Sequence, residues 1–248
     1  MANFMQTIKK SIVYILQMVK TNLNIPIKLL PVLSLIIPFF ILYSLYPESF
    51  EATWKGRTFY FFFLWLASLE TILEWEKVPT NKINKIRTIV FIVALLLPTI
   101  FVVVANFYGL NAIIVDLARE NNVFWADWMP LSTEYLVFAM LFALIVICEY
   151  GINGLRNFSI STFFLGTIGL IYTIDNLYPY GKFAPFQIIV PTTATLAANV
   201  LSLMGYQTRL DLSGDMPLLV AWNPTGVWGA KIAWPCAGVD SLLIYSIT

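Results

Sequence analysis

Apolar residues occur in long runs separated by short charged connectors, the pattern of helices that are hydrophobic on every side. The run at 26–46 is free of charge after Lys28 and ends in Tyr43 and Tyr46, aromatics suited to a membrane interface. A second run, at 58–75, is rich in Phe, carries Trp65, and contains Glu70. From Thr88 to Val115 there is no charge for 28 residues, more than one untilted span requires. Pro98 can kink this stretch and Gly109 can end it, which predicts a span at 88–107 and an interfacial segment at 108–130. Further spans are predicted at 132–149, 157–175 and 184–204. Gly166 and Gly169 are spaced for close helix approach, and Ala194, Ala197 and Ala198 give the last span a small-residue face.

Two segments break the pattern. Residues 1–25 mix Ile, Met and Leu with Lys9, Lys10 and Lys20, which predicts an amphipathic helix lying on a membrane surface. Residues 206–235 change texture, with strand-like runs at Leu218–Trp222 and Val227–Trp234 flanking Asn223-Pro-Thr-Gly226. A Pro/Gly connection of that length predicts a β-hairpin. An open hairpin exposed to lipid would leave its edge groups unsatisfied, so it is expected to cap the bundle at the interface. The domain reading is an interfacial helix at 1–25 followed by one transmembrane helical domain at 26–248. The fold class is an all-α polytopic membrane protein with six to seven transmembrane helices and a small β-hairpin cap before the last helix.

Composition supports that class. Hydrophobic residues are 59% and charged residues 12% of the chain, against about 25% charged in soluble domains. The net charge of +1 offers no surface for nucleic acid. Histidine is absent, which removes the commonest general base and catalytic metal ligand, and no metal site or cofactor is expected. Two cysteines, Cys148 and Cys236, provide no disulfide framework and no metal-binding spacing. Lys77, Lys82, Lys85 and Arg87 make the densest basic cluster and, with residues 1–25, mark the cytoplasmic side.

Candidate chemistry concentrates in Trp234-Pro235-Cys236-Ala-Gly238-Val-Asp240-Ser241-Leu-Leu. A thiol at the first turn of a helix feels unpaired backbone N–H groups and the positive dipole end, which favour the nucleophilic thiolate. Asp240 lies four residues after Cys236, on the same face of such a helix, where its carboxylate would oppose that effect. Cys148, within an apolar run, reads as a packing residue. Glu70 is either a functional intramembrane charge or a residue paired locally near the interface. Trp222, Trp228 and Trp234 read as interface anchors, and Arg209 and Lys231 as solvated charges beside the hairpin.

The Cys236-x-Gly238-x-x-Ser241 motif, the preceding span with its leucine-rich end at Leu203-Met-Gly205, and the hairpin between them resemble the exosortase/archaeosortase family of membrane-embedded cysteine transpeptidases. The multi-span layout covers nearly the whole chain, and the specific signal is confined to about residues 190–248. The resemblance implies a thiol protease that sorts surface proteins carrying a C-terminal motif, a transmembrane helix and a basic tail. Cys236 is then the nucleophile, and a thioester acyl-enzyme is resolved by a second nucleophile, a membrane lipid being one candidate acceptor. Gly238 would admit the substrate backbone, and Ser241 would hydrogen-bond within the site or pack. The family also uses an Arg, and a further Arg or His, downstream of the Cys. Neither follows before Thr248, so the chain reads as a C-terminally truncated fragment expected to be inactive alone, with Asp240 expected to pair with a basic group beyond it. Alternative readings are a membrane transporter and a non-enzymatic assembly factor. Six spans from a cytoplasmic N-terminus would return 206–235 to the cytoplasm, whereas the resemblance requires an extracytoplasmic nucleophile in the cell membrane.

Overall fold

The structure, a computed structural model, describes residues 29–52, 54–73, 85–179, 183, 188–214, 216–233 and 237–238, with backbone alone for 85–88. The interfacial helix expected at 1–25 and the core of the basic cluster lie outside the described residues. The chain is mostly helical, with one small antiparallel sheet. Its helices are α1 Leu30–Leu45, α2 Pro47–Glu51, α3 Phe59–Leu73, α4 Lys85–Phe107, α5 Leu110–Glu120, α6 Met129–Tyr150, α7 Ile152–Asn157, α8 Ser159–Leu177 and α9 Val190–Leu203. Among the described residues three segments are long and apolar enough to cross a membrane: Ile89–Phe107, Ala126–Tyr150 and Ser159–Leu177. At about 1.5 Å per residue, α1, α3 and α9 extend only about 24, 22 and 21 Å.

Aromatic packing builds the core. The buried residues of α3 include Tyr60, Phe63, Ala67 and Glu70, three or four apart, so one stripe faces inward while Phe61, Phe62 and Trp65 face out. Tyr60 stacks on Phe39 of α1 with ring centroids 4.5 Å apart and lies 4.3 Å from Tyr135 of α6, while Phe63 meets Phe142 edge-on at 5.0 Å. Helices α6 and α8 pack most intimately. A Cβ on Gly169 would stand 2.8 Å from the Leu136 side chain and 3.0 Å from its backbone nitrogen, so glycine permits that approach.

The succession of helices defines two ends of the bundle. At the near end α1 and α4 terminate, α3 and α6 begin and α8 terminates; Tyr46 there donates to Asn106 at 2.8 Å. Helix α5, in the segment read as interfacial, closes on Asn122 in the left-handed region, with Val123 N–H bonded to Ala118 O and Asn122 N–H to Arg119 O.

The sheet departs from the sequence reading. The hairpin forms as expected across Asn223–Gly226, pairing β2 (Leu218–Asn223) with β3 (Gly226–Lys231), but β1 (Gln207–Asp211) adds a third strand in the order β1-β2-β3. Gly205, with φ +89°, ends α9 by the 6→1 bond from Tyr206 N–H to Leu201 O and turns the chain back. Strands β1 and β2 then pack along α9, whose buried Ala194 and Ala198 give the space. The small-residue face of the segment read as a sixth span therefore receives a sheet.

Candidate functional site

Of the residues singled out in the motif, Cys236, Asp240 and Ser241 lie outside the described residues. Gly238 is described and adopts φ +77°, a left-handed conformation that favours glycine. Among the described residues a Cβ there would meet nothing within 4 Å, so the requirement comes from the backbone. Ala237 is buried and belongs to the main hydrophobic cluster of the bundle together with Val190 of α9. Its carbonyl accepts a hydrogen bond from the Thr193 hydroxyl at 3.3 Å, a donor shared with Ile189 O at 3.3 Å. After β3 the chain is thus back at the first turn of α9 by Ala237. Ile232 N–H bonds Pro217 O at 2.8 Å and extends the ladder one step past the last strand residue.

The connector 52–58, at the near end, forms a polar cluster that sequence reasoning left unremarked. Lys55, itself at φ +48°, ion-pairs with Asp175 at 2.8 Å and donates to Asn176 Oδ1 at 2.9 Å. Arg57 holds Glu134 in a two-point fork, Nε to Oε1 at 2.8 Å and Nη2 to Oε2 at 2.7 Å, and Nη1 donates to Ser49 Oγ at 3.1 Å. The Tyr60 hydroxyl donates to the same Glu134 at 2.6 Å. Between the two cations, Gly56 accepts from Tyr135 OH at 2.8 Å and its N–H reaches Tyr172 OH at 3.4 Å.

Burial pushes the Lys55 ammonium below its ordinary value against the opposing pull of Asp175. For Arg57 burial acts in the same downward sense, but the Glu134 carboxylate outweighs it and holds the guanidinium above its usual range. Each cation is therefore neutralised by its own carboxylate. A detectable signal was present: Glu134 and Asp175 sit near the ends of apolar runs, where an ionisable residue is costly unless paired.

Glu70 has its structural partners. Its carboxylate accepts from the backbone N–H of Ile160 at 2.9 Å, that of Ser161 at 3.2 Å, and the Ser161 hydroxyl, capping the first turn of α8 from a neighbouring helix. Cys148 packs against the small cluster of Phe91, Ala94 and Ile145, in keeping with a packing role. Arg209 and Lys231 are exposed strand residues, Trp228 is exposed, and Trp222 donates across the sheet to Gln207 Oε1 at 2.6 Å. No protein-family model, curated protein or solved structure matches this chain.

Proposed function

We propose that the protein is a membrane-embedded cysteine transpeptidase that processes C-terminal sorting signals of surface proteins. One observation carries the reading: the residue two after Cys236 is a left-handed glycine, uncrowded among the described residues, beside an alanine of the core cluster tied to Thr193. That arrangement ties the residue after Cys236 to the scaffold and leaves room at Gly238 for an extended substrate backbone. In the proposed reaction the Cys236 thiolate attacks a substrate carbonyl carbon. The C–N bond breaks, the tail leaves as an amine that gains a proton, and a thioester remains. A second nucleophile then attacks the thioester and regenerates the thiolate.

The topology of the reading follows from the α9 reversal. We infer multi-pass insertion in a cell membrane, with α1, α3, α4, α6 and α8 crossing from a cytoplasmic start and the near end facing outward. Helix α9 is not counted as a crossing on this reading, because Gly205 turns the chain back and β1 and β2 pack along it. The chain that folds back along it brings Ala237 beside its first turn, and we assign that turn to the outward end, where α8 terminates. On this count the Cys segment is extracytoplasmic, without the return that six full crossings would impose. The transporter reading draws on Glu70 and the small helix faces, and those groups serve a helix cap, the α6–α8 contact and the α9–sheet contact.

The test uses the complete protein in membranes with a substrate bearing a motif, a transmembrane helix and a basic tail. Hydroxylamine is expected to release a substrate hydroxamate from the wild type and none from Cys236→Ala. In a Cys148→Ala background, an impermeant thiol reagent applied outside is expected to label Cys236. Processing that survives Cys236→Ala overturns the enzymatic reading, and labelling only from the cytoplasmic side overturns the topology.

A further inference from the structure

At the near end a cavity of about 730 Å³ opens between the end of α1, the start of α2, the connector 52–58 and the start of α6. Its walls include Tyr46, Glu48, Lys55, Arg57, Trp128 and Leu131. The charges are not evenly distributed. Lys55 and Arg57 are buried, 6% and 8% exposed, whereas two exposed carboxylates also line the cavity: Asp127, paired with Arg119, and Glu48, with no cation paired to it among the described residues.

Donor accounting shows what the buried side can take. Arg57 has five N–H groups, and among the described residues three are used on Glu134 and Ser49, which leaves two. Lys55 has three donors and, among the described residues, uses two on Asp175 and Asn176 and lies 4.8 Å from the Trp125 ring. Buried donors call for acceptors, so an oxyanion satisfies this side of the cavity. A bare anion, however, meets cations already neutralised by Glu134 and Asp175, with the Glu48 carboxylate nearby. The ligand must bring its own positive group. Glu48 offers that group a counter-charge and Trp128 offers an aromatic ring, while the Tyr46 ring already carries the Arg57 guanidinium at 4.5 Å. Leu131 and the exposed Tyr43 and Leu45 at the end of α1 place an apolar surface next to the polar one.

We propose that this cavity binds a zwitterionic phosphoester–ammonium group of the phosphoethanolamine class. The phosphate faces Arg57 and Lys55, and the ammonium faces Glu48. The same chemistry can arrive as a phospholipid headgroup or as a free phosphoester. The site is independent of the Cys236 chemistry and stands or falls without it.

Native mass spectrometry of the detergent-solubilised protein tests it, with dioleoyl phosphatidylethanolamine, dioleoyl phosphatidylglycerol and free phosphoethanolamine as probes. The wild type is expected to retain the ethanolamine lipid about tenfold more tightly than the glycerol lipid, the worth of one charge-assisted contact. Glu48→Gln should bring that ratio close to one, an effect that a mere first-turn acid in α2 would not produce. Lys55→Met with Asp175→Leu removes a cation without stranding a charge and should weaken both lipids. Displacement by millimolar free phosphoethanolamine supports the site with a soluble source, and retention against it supports the site with a lipid source. Equal retention of the two lipids by the wild type, or an unchanged ratio in Glu48→Gln, overturns the proposal. The Glu48→Gln ratio decides alone if the double variant fails to fold.

Discussion

Two ion pairs in this protein have nearly the same length and should differ severalfold in value. Arg57 Nη2 and Glu134 Oε2 are 2.7 Å apart, with side chains 9% and 6% exposed. Arg119 and Asp127 are 2.6 Å apart, with side chains 62% and 73% exposed. If distance governed, the second would be at least as strong. Burial governs instead, because an exposed pair is screened and already well solvated, and is worth about 0–1 kcal/mol. Removing one partner of the buried pair strands a charge, at about 3–5 kcal/mol. Glu134→Gln is the sharpest perturbation: it keeps the shape but turns an amide N–H toward Arg57 or Tyr60, both of which are donors. The expected loss is about 3–5 kcal/mol, against about 0.5 kcal/mol or less for Asp127→Asn. Replacing both partners, Arg57→Met with Glu134→Leu, should recover much of the loss, leaving about 1–3 kcal/mol for the Tyr60 hydroxyl deprived of its acceptor. Unfolding free energies in mixed micelles, read as a double-mutant cycle, supply every term. A Glu134→Gln loss no larger than that of Asp127→Asn would refute the argument that burial sets the worth of this pair.

Three further outcomes follow from the packing and the caps. Gly169→Ala should destabilise by about 1–3 kcal/mol in the same assay, because the added Cβ meets Leu136 side chain and backbone at 3.0 Å or less. Glu70→Gln should lose about 1.5–3 kcal/mol, the worth of hydrogen bonds to a charged acceptor at a helix start, with amide exchange accelerated first at Ile160 and Ser161. For Lys55 the sign differs from that of a lysine raised by its partner. The folded protein releases this proton below the unfolded value of 10.5, so between the lowered value and 10.5 the unfolded chain holds more protons. Stability should therefore rise with pH through that window. Lys55→Met with Asp175→Leu should remove that rise, and an unchanged slope would show that Lys55 is not its source.

The helical framework was legible because a helix that is apolar on all sides leaves a long one-dimensional signal. Helices α1, α3, α4, α6, α8 and α9 fall on the runs read as spans, while among the described residues three segments meet crossing length. The hairpin turn was legible too, since Asn223-Pro-Thr-Gly226 announces itself locally, and Asn223 Oδ1 does accept from Thr225 N–H and Gly226 N–H at 3.0 Å. Strand β1 was missed because Gln207–Asp211 is exposed at alternate positions and owes its pairing to β2, information absent from its own five residues. The Lys55–Asp175 and Arg57–Glu134 pairs were missed for a related reason. Each joins a connector to a residue far along the chain, and no local period records such a partnership. Even Glu70, visible as a charge in a span, gave no hint that its partners would be backbone groups of α8.

Helix α3 is fastened at both extremities to the same neighbour. Just before its first residue, Gly56 and Lys55 are tied to Tyr172, Asp175 and Asn176 near the end of α8; near its last, Glu70 is tied to Ile160 and Ser161 at the start of α8. Two fixed points on one rod leave it no freedom to slide, and polar ties that depend on facing residues leave it little freedom to spin. The α3–α8 pair is thus a fixed frame of reference. Any rearrangement that admits a bulky partner must be carried by the elements outside it, and α9 with its three-stranded sheet, which meets the core cluster at Val190 and Ala237, can move without breaking any of these ties.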